Sequence, residues 1–277
     1  MTLRLFVSTA LQADTDIELP AGAARHAQVR RVQPGDTLLL FDGLGSDWPA
    51  MVLAVGRSNV RVHVALPQRV ANELSRPVTL ALGMPANERM DTLVEKATEL
   101  GVACIQPLLT TRSVLRLAGD RALRKQAHWQ AIAQAACEQC GRAQVPVVAP
   151  VRELAAWLPG AVAGNRLVLS LRSDATALAA LAGWVQHGGA DGAATACITT
   201  LSGPEGGLTP DEENAAVRAG FVATALGPRV LRADTAPLAV LAWLGLQSGS
   251  QLELQTGVQT SAQTGFKTSL QMKLQTG

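Results

Sequence analysis

Leu201-Ser-Gly-Pro-Glu-Gly-Gly207 follows the apolar stretch 196–201 and precedes Thr209-Pro-Asp-Glu212. The apolar stretch predicts a buried strand. Thr209 to Glu212 predicts a helix start, with Thr at the N-cap, Pro at the first helical position and Glu three residues in. Strand, glycine-rich loop and capped helix together form the repeating unit of an open α/β sheet. Such sheets bind ligands in the loops at the carboxyl ends of their strands. Glycines let the backbone come close to a ligand, and Pro204 stiffens the loop. Glu205 adds a carboxylate. No Gly-Lys-Ser/Thr follows and the glycine spacing is not Gly-x-Gly-x-x-Gly, so neither dinucleotide nor P-loop fingerprint applies.

The same alternation extends on both sides. Strands are predicted over 78–84, 104–109, 166–171, 196–201 and 221–226. Helices are predicted over 88–100, 120–140, 152–158, 175–185, 209–219 and 235–246. Strands alternating with helices mean an α/β domain with a largely parallel sheet. The final strand and helix flank a second ligand-loop candidate, Leu226-Gly-Pro-Arg-Val-Leu-Arg-Ala-Asp-Thr235. Arg229 and Arg232 there suit a phosphate or a developing anion.

The first seventy residues have another rhythm. Short strands over 3–7, 37–41, 50–55 and 60–66 are broken by turn signals at Pro34-Gly35-Asp36, Asp42-Gly43 and Ser58-Asn59, with a short helix over 23–32. Closely spaced strands in so small a piece predict a small barrel. The polar stretch 66–77 is the expected boundary, giving domains at 1–70 and 75–246. Residues 247–277, rich in Gln, Thr, Ser and Gly with Gln-Thr-Gly recurring at 255, 263 and 275, carry no core pattern and are expected to be a disordered tail.

The chain has 277 residues, 48% of them hydrophobic, with a net charge of +2 and no Tyr. That charge alone does not argue for nucleic acid. Its distribution says more: six cations lie between Arg112 and Arg142 against Asp120 and Glu138. The excess suits either a phosphate-facing patch or a solvated helix face. No signal segment and no membrane-length apolar run is visible, and four cysteines without a secretory context fit reduced thiols, so a cytoplasmic protein is expected. Cys137-x-x-Cys140 lacks a second ligand pair at zinc spacing, and packing on one helix face explains it better than a metal. Glu95 and Glu99 share a helix face and suit pairing with Lys96 or Arg89 as well as catalysis.

Cys137-Glu-Gln-Cys-Gly-Arg142, Gly203-Pro-Glu-Gly-Gly207 and Leu226-Gly-Pro-Arg-Val-Leu-Arg232 occur in order, with Glu95-Lys-x-x-Glu-Leu-Gly101 upstream. In this the chain resembles the bacterial small-subunit ribosomal RNA uridine-N3 methyltransferases of the SPOUT superfamily, over residues 3–245. The resemblance implies a PUA-like RNA-binding barrel followed by an α/β domain whose carboxyl end forms a trefoil knot, a topology that physical reasoning alone would reject as rare. It implies a homodimer that uses S-adenosylmethionine to methylate N3 of uridine 1498 in 16S ribosomal RNA, on the small ribosomal subunit, without a metal. Another RNA target, or a non-catalytic RNA-binding role in ribosome assembly, are the alternatives.

Carried over residue by residue, the cofactor contacts would come from Leu169, Ser170 and Leu171, from Leu201, Gly203, Pro204, Gly206 and Gly207, and from Leu226, Gly227, Val230 and Leu231. Arg232 would stabilise charge on the target base, with Glu205 or Asp234 as candidates for removing its proton. Many relatives carry Thr-Glu where this chain has Ala233-Asp234. Arg142, Glu138 and Gln139 would line the uridine or phosphate side. In the barrel Arg4, Arg25, Arg30 and Arg31 would hold the RNA backbone.

Overall fold

The computed structural model describes residues 2–161, 164–183 and 197–247. Its strands fall into two sheets. The amino-terminal sheet contains β1 (Arg4–Phe6), β2 (Thr15–Glu18), β3 (Thr37–Phe41), β4 (Ser46–Val55), β5 (Val60–Val64) and β6 (Gln68–Arg69), with helix α1 (Ala21–Val29) after β2. The order is β1-β3-β4-β5-β2, with β6 on β4. All pairings are antiparallel except β1 with β3. Among the described residues no pairing joins β1 to β2.

β5 alternates buried Val60, Val62 and Val64 with more exposed Arg61 and His63, as a half-buried strand does. β2 escapes sequence reading because Thr-Asp-Ile-Glu presents two acids and buries only one side. β4 begins four residues before the predicted start. Pro49 lowers its strand signal, yet the Pro49 carbonyl still accepts from the Ala65 amide.

The second sheet is parallel throughout, in the order β10-β8-β7-β13-β11-β14-β12, with β9 on β8. Its elements are β7 (Val78–Gly83), α2 (Asn87–Glu99), β8 (Cys104–Leu109), α3 (Gly119–Cys140), β9 (Val147–Val148), β10 (Arg152–Glu153), α4 (Leu154–Trp157), β11 (Asn165–Leu169), β12 (Thr176–Ala177), β13 (Ile198–Ser202), α5 (Pro210–Arg218) and β14 (Val222–Ala225). A last helix, α6, runs over 235–247. Every residue of β7 is buried, as expected of a central parallel strand covered on both faces.

Alternate residues of these strands feed two cores. Leu80, Leu82, Ile105, Leu167 and Ile198 join α2, α3 and the Val240, Leu241 and Leu244 face of α6. Ala81, Val168 and Leu201 point the other way, toward Trp157, Ala216 and Phe221. Trp129 of α3 is fully buried and its Nε1 donates to Asp91 of α2 (2.9 Å), fixing one helix on the other.

Two predicted helices are corrected. The 152–158 stretch opens with the short strand β10, which pairs with β8, before α4 begins. The 175–185 stretch starts as β12 on the sheet edge and continues as a 3-10 turn at Leu178–Leu181. Residues 184–185 and the expected tail beyond 247 lie outside the described residues.

Candidate active site

Three loops meet at the carboxyl ends of the adjacent strands β11, β13 and β14. They enclose a cavity of about 830 Å³. The predicted residues Leu169, Ser170, Leu171, Gly203, Pro204, Glu205, Gly206, Gly207, Leu226, Gly227, Val230, Leu231 and Arg232 all line it. Leu201 does not. Period-two alternation turns its side chain into the core beside Ala81 and Val168, and the next residue, Ser202, faces the cavity instead. A contact from Leu201 to a ligand would therefore run through its backbone. Asp234 also lies outside the lining, one turn before the buried face of α6.

The Gly203–Gly207 loop is tightly folded. A side chain on Gly203 would stand 2.5 Å from the Leu208 amide nitrogen and 2.6 Å from the Gly207 carbonyl carbon, so only hydrogen fits there. Two arginines that the sequence reading left out of the site hold this loop. Arg112 Nη1 donates to the carbonyls of Gly206 (2.8 Å) and Leu208 (3.2 Å). Arg89 Nη1 donates to Glu205 Oε1 (3.3 Å), which also accepts from the Ala86 amide (3.0 Å). Glu205 is therefore engaged in tying the loop to the start of α2. The sequence signal for Arg112 was its place in the basic stretch; for Arg89 there was none beyond a helix position.

Downstream, Thr209 and Glu212 form the predicted capping box at the start of α5. Glu212 Oε1 also accepts from the Thr111 amide (2.8 Å) and hydroxyl (3.0 Å). Burial works against its charge, but these bonds from Thr209 and Thr111 outweigh it and hold the carboxyl below its usual range. The loop after β11 is anchored to the same helix: Ser170 Oγ donates to Glu213 (3.3 Å) and Arg172 Nη1 to Asn214 (2.8 Å).

At the rim, Arg229 and Arg232 are exposed and form no ion pair among the described residues. On the cavity wall, the buried Ser202 Oγ lacks a hydrogen-bond partner, as does Asp234 Oδ1 outside the lining. The Ser202 hydroxyl is thus a donor and acceptor already desolvated on the cavity wall. Such a group gains from a polar ligand atom.

The Cys137 to Arg142 motif lies elsewhere. It packs against the amino-terminal sheet. Arg142 is 3% exposed. Its Nε and Nη2 hold both oxygens of Glu73 (3.0, 3.1 and 2.5 Å), and its Nη1 donates to the Thr98 carbonyl (2.8 Å). Glu138 accepts from the Phe6 amide (2.9 Å) and faces His26 (3.3 Å). Arg4 pairs with Asp47 (2.6 Å), donates to the Arg142 carbonyl (3.0 Å) and stacks over Phe41 (5.0 Å). Cys137 is buried beside Phe41 and Ala143, its Sγ donating to the Gln144 carbonyl (3.4 Å), and burial pushes its thiol up to about 12.

These positions correct the expectation that Arg4, Glu138 and Arg142 face RNA. Their charged groups are committed to the seam between the two sheets. Gln139 is exposed but does not line the cavity, whereas Arg25, Arg30 and Arg31 remain exposed on α1 and the turn that follows it. The acidic pair Glu95 and Glu99 is bridged by Lys96 (2.7 and 2.8 Å), so a solvated ion-pair face accounts for it.

A parallel sheet with a cavity over its carboxyl edge, joined to a small amino-terminal sheet, defines a class that the comparisons identify. Residues 72–245 match the family model described as RNA methyltransferase domain, and residues 19–65 match that described as RNA methyltransferase PUA domain. The chain is 31% identical over 243 residues to ribosomal RNA small subunit methyltransferase E of Synechocystis sp., spanning 87% of this chain and 77% of the relative. With the protein of the same name from Mycobacterium bovis it shares 33% over 223 residues, 79% of this chain and 82% of the relative. Among solved structures, ribosomal RNA small subunit methyltransferase E from Neisseria gonorrhoeae bound to S-adenosyl methionine superposes with a TM-score of 0.79 at 33% identity, covering 88% of this chain and 97% of the other. A Legionella pneumophila methyltransferase in complex with the same cofactor gives 0.80 at 30% identity with the same coverage. The chain belongs to the ribosomal RNA small subunit methyltransferase E family.

Proposed function

We propose that this protein methylates N3 of uridine 1498 in 16S ribosomal RNA of the small ribosomal subunit, with S-adenosylmethionine as methyl donor. The observation that carries this is the three-loop cavity with its unpaired Arg232 at the rim, in a chain of this family. The residues present fit the donor. The backbones of 203–207 and 226–231, the loop at 169–171 and the free Ser202 hydroxyl offer a polar cradle of suitable size. When bound, S-adenosylmethionine supplies an electrophilic methyl group.

The work of this chain is to hold and activate the base. Neutral uracil N3 carries a proton and is a poor nucleophile. Arg232, exposed at the rim, stabilises the negative charge that builds on the uracil oxygens as that proton leaves. Asp234, outside the cavity lining but two residues from Arg232, takes the proton through solvent. Glu205 serves the loop rather than the proton, given its bonds to Ala86 and Arg89. Fixing N3 in line with the donor methyl supplies much of the remaining rate.

The same reading divides the chain into an RNA-binding domain at 1–70 and a catalytic domain at 75–246. Arg25, Arg30 and Arg31 would contact the RNA backbone. It includes a knotted carboxyl end, supported by the return of α6 to the core of β7 and α2 after the 226–232 loop. It also includes a homodimer, supported by exposed Leu171 and Val230 at the cavity mouth. No described helix is long and apolar enough to cross a membrane, and a ribosomal substrate would place the protein in the cytoplasm. The test is methyl transfer from labelled S-adenosylmethionine to small subunits lacking the modification, followed by digestion and mass analysis of nucleosides. Labelled N3-methyluridine at position 1498 is expected; label on another nucleotide, or none, would defeat the proposal.

A further inference from the structure

We propose that the strap 112–118, which leaves a turn at Thr110–Ser113, and the first two turns of α3 form a second track for the RNA phosphate backbone, leading away from the cavity. The inference rests on the methyl-transfer reading and extends it to how the RNA is held. Along the strap exposure alternates. Arg112, Val114 and Arg116 face outward, while Ser113, Leu115 and Leu117 are buried, the two leucines in the main core. The two cations of the strap, Arg112 and Arg116, are four residues apart, with the exposed Val114 between them. Arg112 starts this row at the cavity wall, with Nη1 on the Gly203–Gly207 loop.

The row continues on α3. Arg121 and Arg124 are exposed and three apart, so they share a helix face, and the half-buried Lys125 lies on its flank, four residues before the buried Trp129. Arg121 lies in the first turn, where the helix dipole disfavours positive charge, beside the acidic Asp120. Among the described residues, Arg121, Arg124 and Lys125 have no carboxylate partner, and Arg116 has only the Thr111 carbonyl (3.3 Å). The nearest carboxylate in sequence, Asp120, forms no ion pair either. By contrast, Arg4, Arg89, Arg142 and Arg172 all have acidic partners. Unpaired cations held in a row beside a reaction cavity suit a polyanion that lies across them.

The test compares the full-length protein with R116Q/R121Q/R124Q/K125Q, and with R121Q/R124Q/K125Q in case the larger change impairs folding. Glutamine keeps helix propensity. Affinity for a naked RNA fragment spanning the target and for small subunits is measured as a function of salt, with S-adenosylmethionine affinity and thermal unfolding as controls. For naked RNA the quadruple variant is expected to bind roughly tenfold or more weakly at physiological salt. Its log-log salt slope should be shallower by about 3, and that of the triple variant by about 2. Donor affinity should stay unchanged. An unchanged slope on naked RNA overturns the proposal. So does a loss confined to assembled subunits, which would mark an acidic protein as the partner. A patch-dependent slope in wild-type protein that transfers no methyl group supports the track while defeating the functional reading.

Discussion

The seam between the two sheets and the rim of the cavity both carry arginines, and they treat them in opposite ways. At the seam the buried Arg142 and the half-buried Arg4 are paired with carboxylates, Glu73 and Asp47. At the rim Arg229 and Arg232 are exposed and unpaired among the described residues. A buried guanidinium without a carboxylate would be strongly destabilising, so the seam must pair its charges. An arginine meant for a transient anion must keep its donors free until the anion arrives. Pairing therefore separates arginines that hold the molecule from arginines available for chemistry, although one motif-based reading places both at the RNA.

The largest expected effect is on Arg232. Arg232→Ala should lower single-turnover methyl transfer by roughly 100- to 1,000-fold, the scale of losing one group that stabilises transition-state charge. Its melting temperature and donor affinity should match wild type. Arg142→Ala should do the reverse. It leaves Glu73 half-buried and unpaired and the Thr98 carbonyl unsatisfied, costing about 3 kcal/mol of stability in denaturant unfolding. Transfer by the folded fraction should change little. Glu205→Gln weakens the tie to Arg89 and Ala86. Donor KM, read by titration, should rise several-fold, by about 1 kcal/mol of loop ordering, with a smaller change in kcat.

The contrast sharpens what could be read from the sequence. The strand-loop-helix unit at 196–219 was legible because glycine, proline and the capping box each mark a backbone event at a fixed position. The cavity followed from it, since loops at the carboxyl ends of parallel strands converge by topology. Which side chain turns to the cavity, that of Leu201 or Ser202, was not legible, because neighbouring strand residues face opposite sides and a motif does not reveal which one looks outward. The Cys137 to Arg142 motif failed differently. A run of Glu, Gln and Arg reads as ligand-binding in either setting, and only the three-dimensional neighbours Arg4, Phe6 and Glu73, between 69 and 138 positions away in sequence, reveal a seam. The loop-holding Arg89 and Arg112 were hidden because their partners are backbone carbonyls and one glutamate over 90 positions away.

A smaller effect concerns Glu212. Its carboxyl lies below the ordinary value of 4.5 in the folded chain. The stability it contributes is therefore present above that value and lost as pH falls through the lower folded value. Thermal melts from pH 6 to pH 3 should show wild type converging on Glu212→Gln at the acidic end. The smallest is Thr209→Ala, which removes one side of the capping box and should cost about 1 kcal/mol in denaturant unfolding with the fold intact.

The most direct test of this division of labour measures Arg232→Ala and Arg142→Ala side by side, each for single-turnover methyl transfer to unmodified small subunits and for unfolding in denaturant. The account predicts a crossed result: Arg232→Ala keeps its stability and loses transfer, and Arg142→Ala loses stability and keeps transfer in the folded fraction. Folded Arg142→Ala protein that fails to transfer, beside Arg232→Ala that turns over normally, would contradict it.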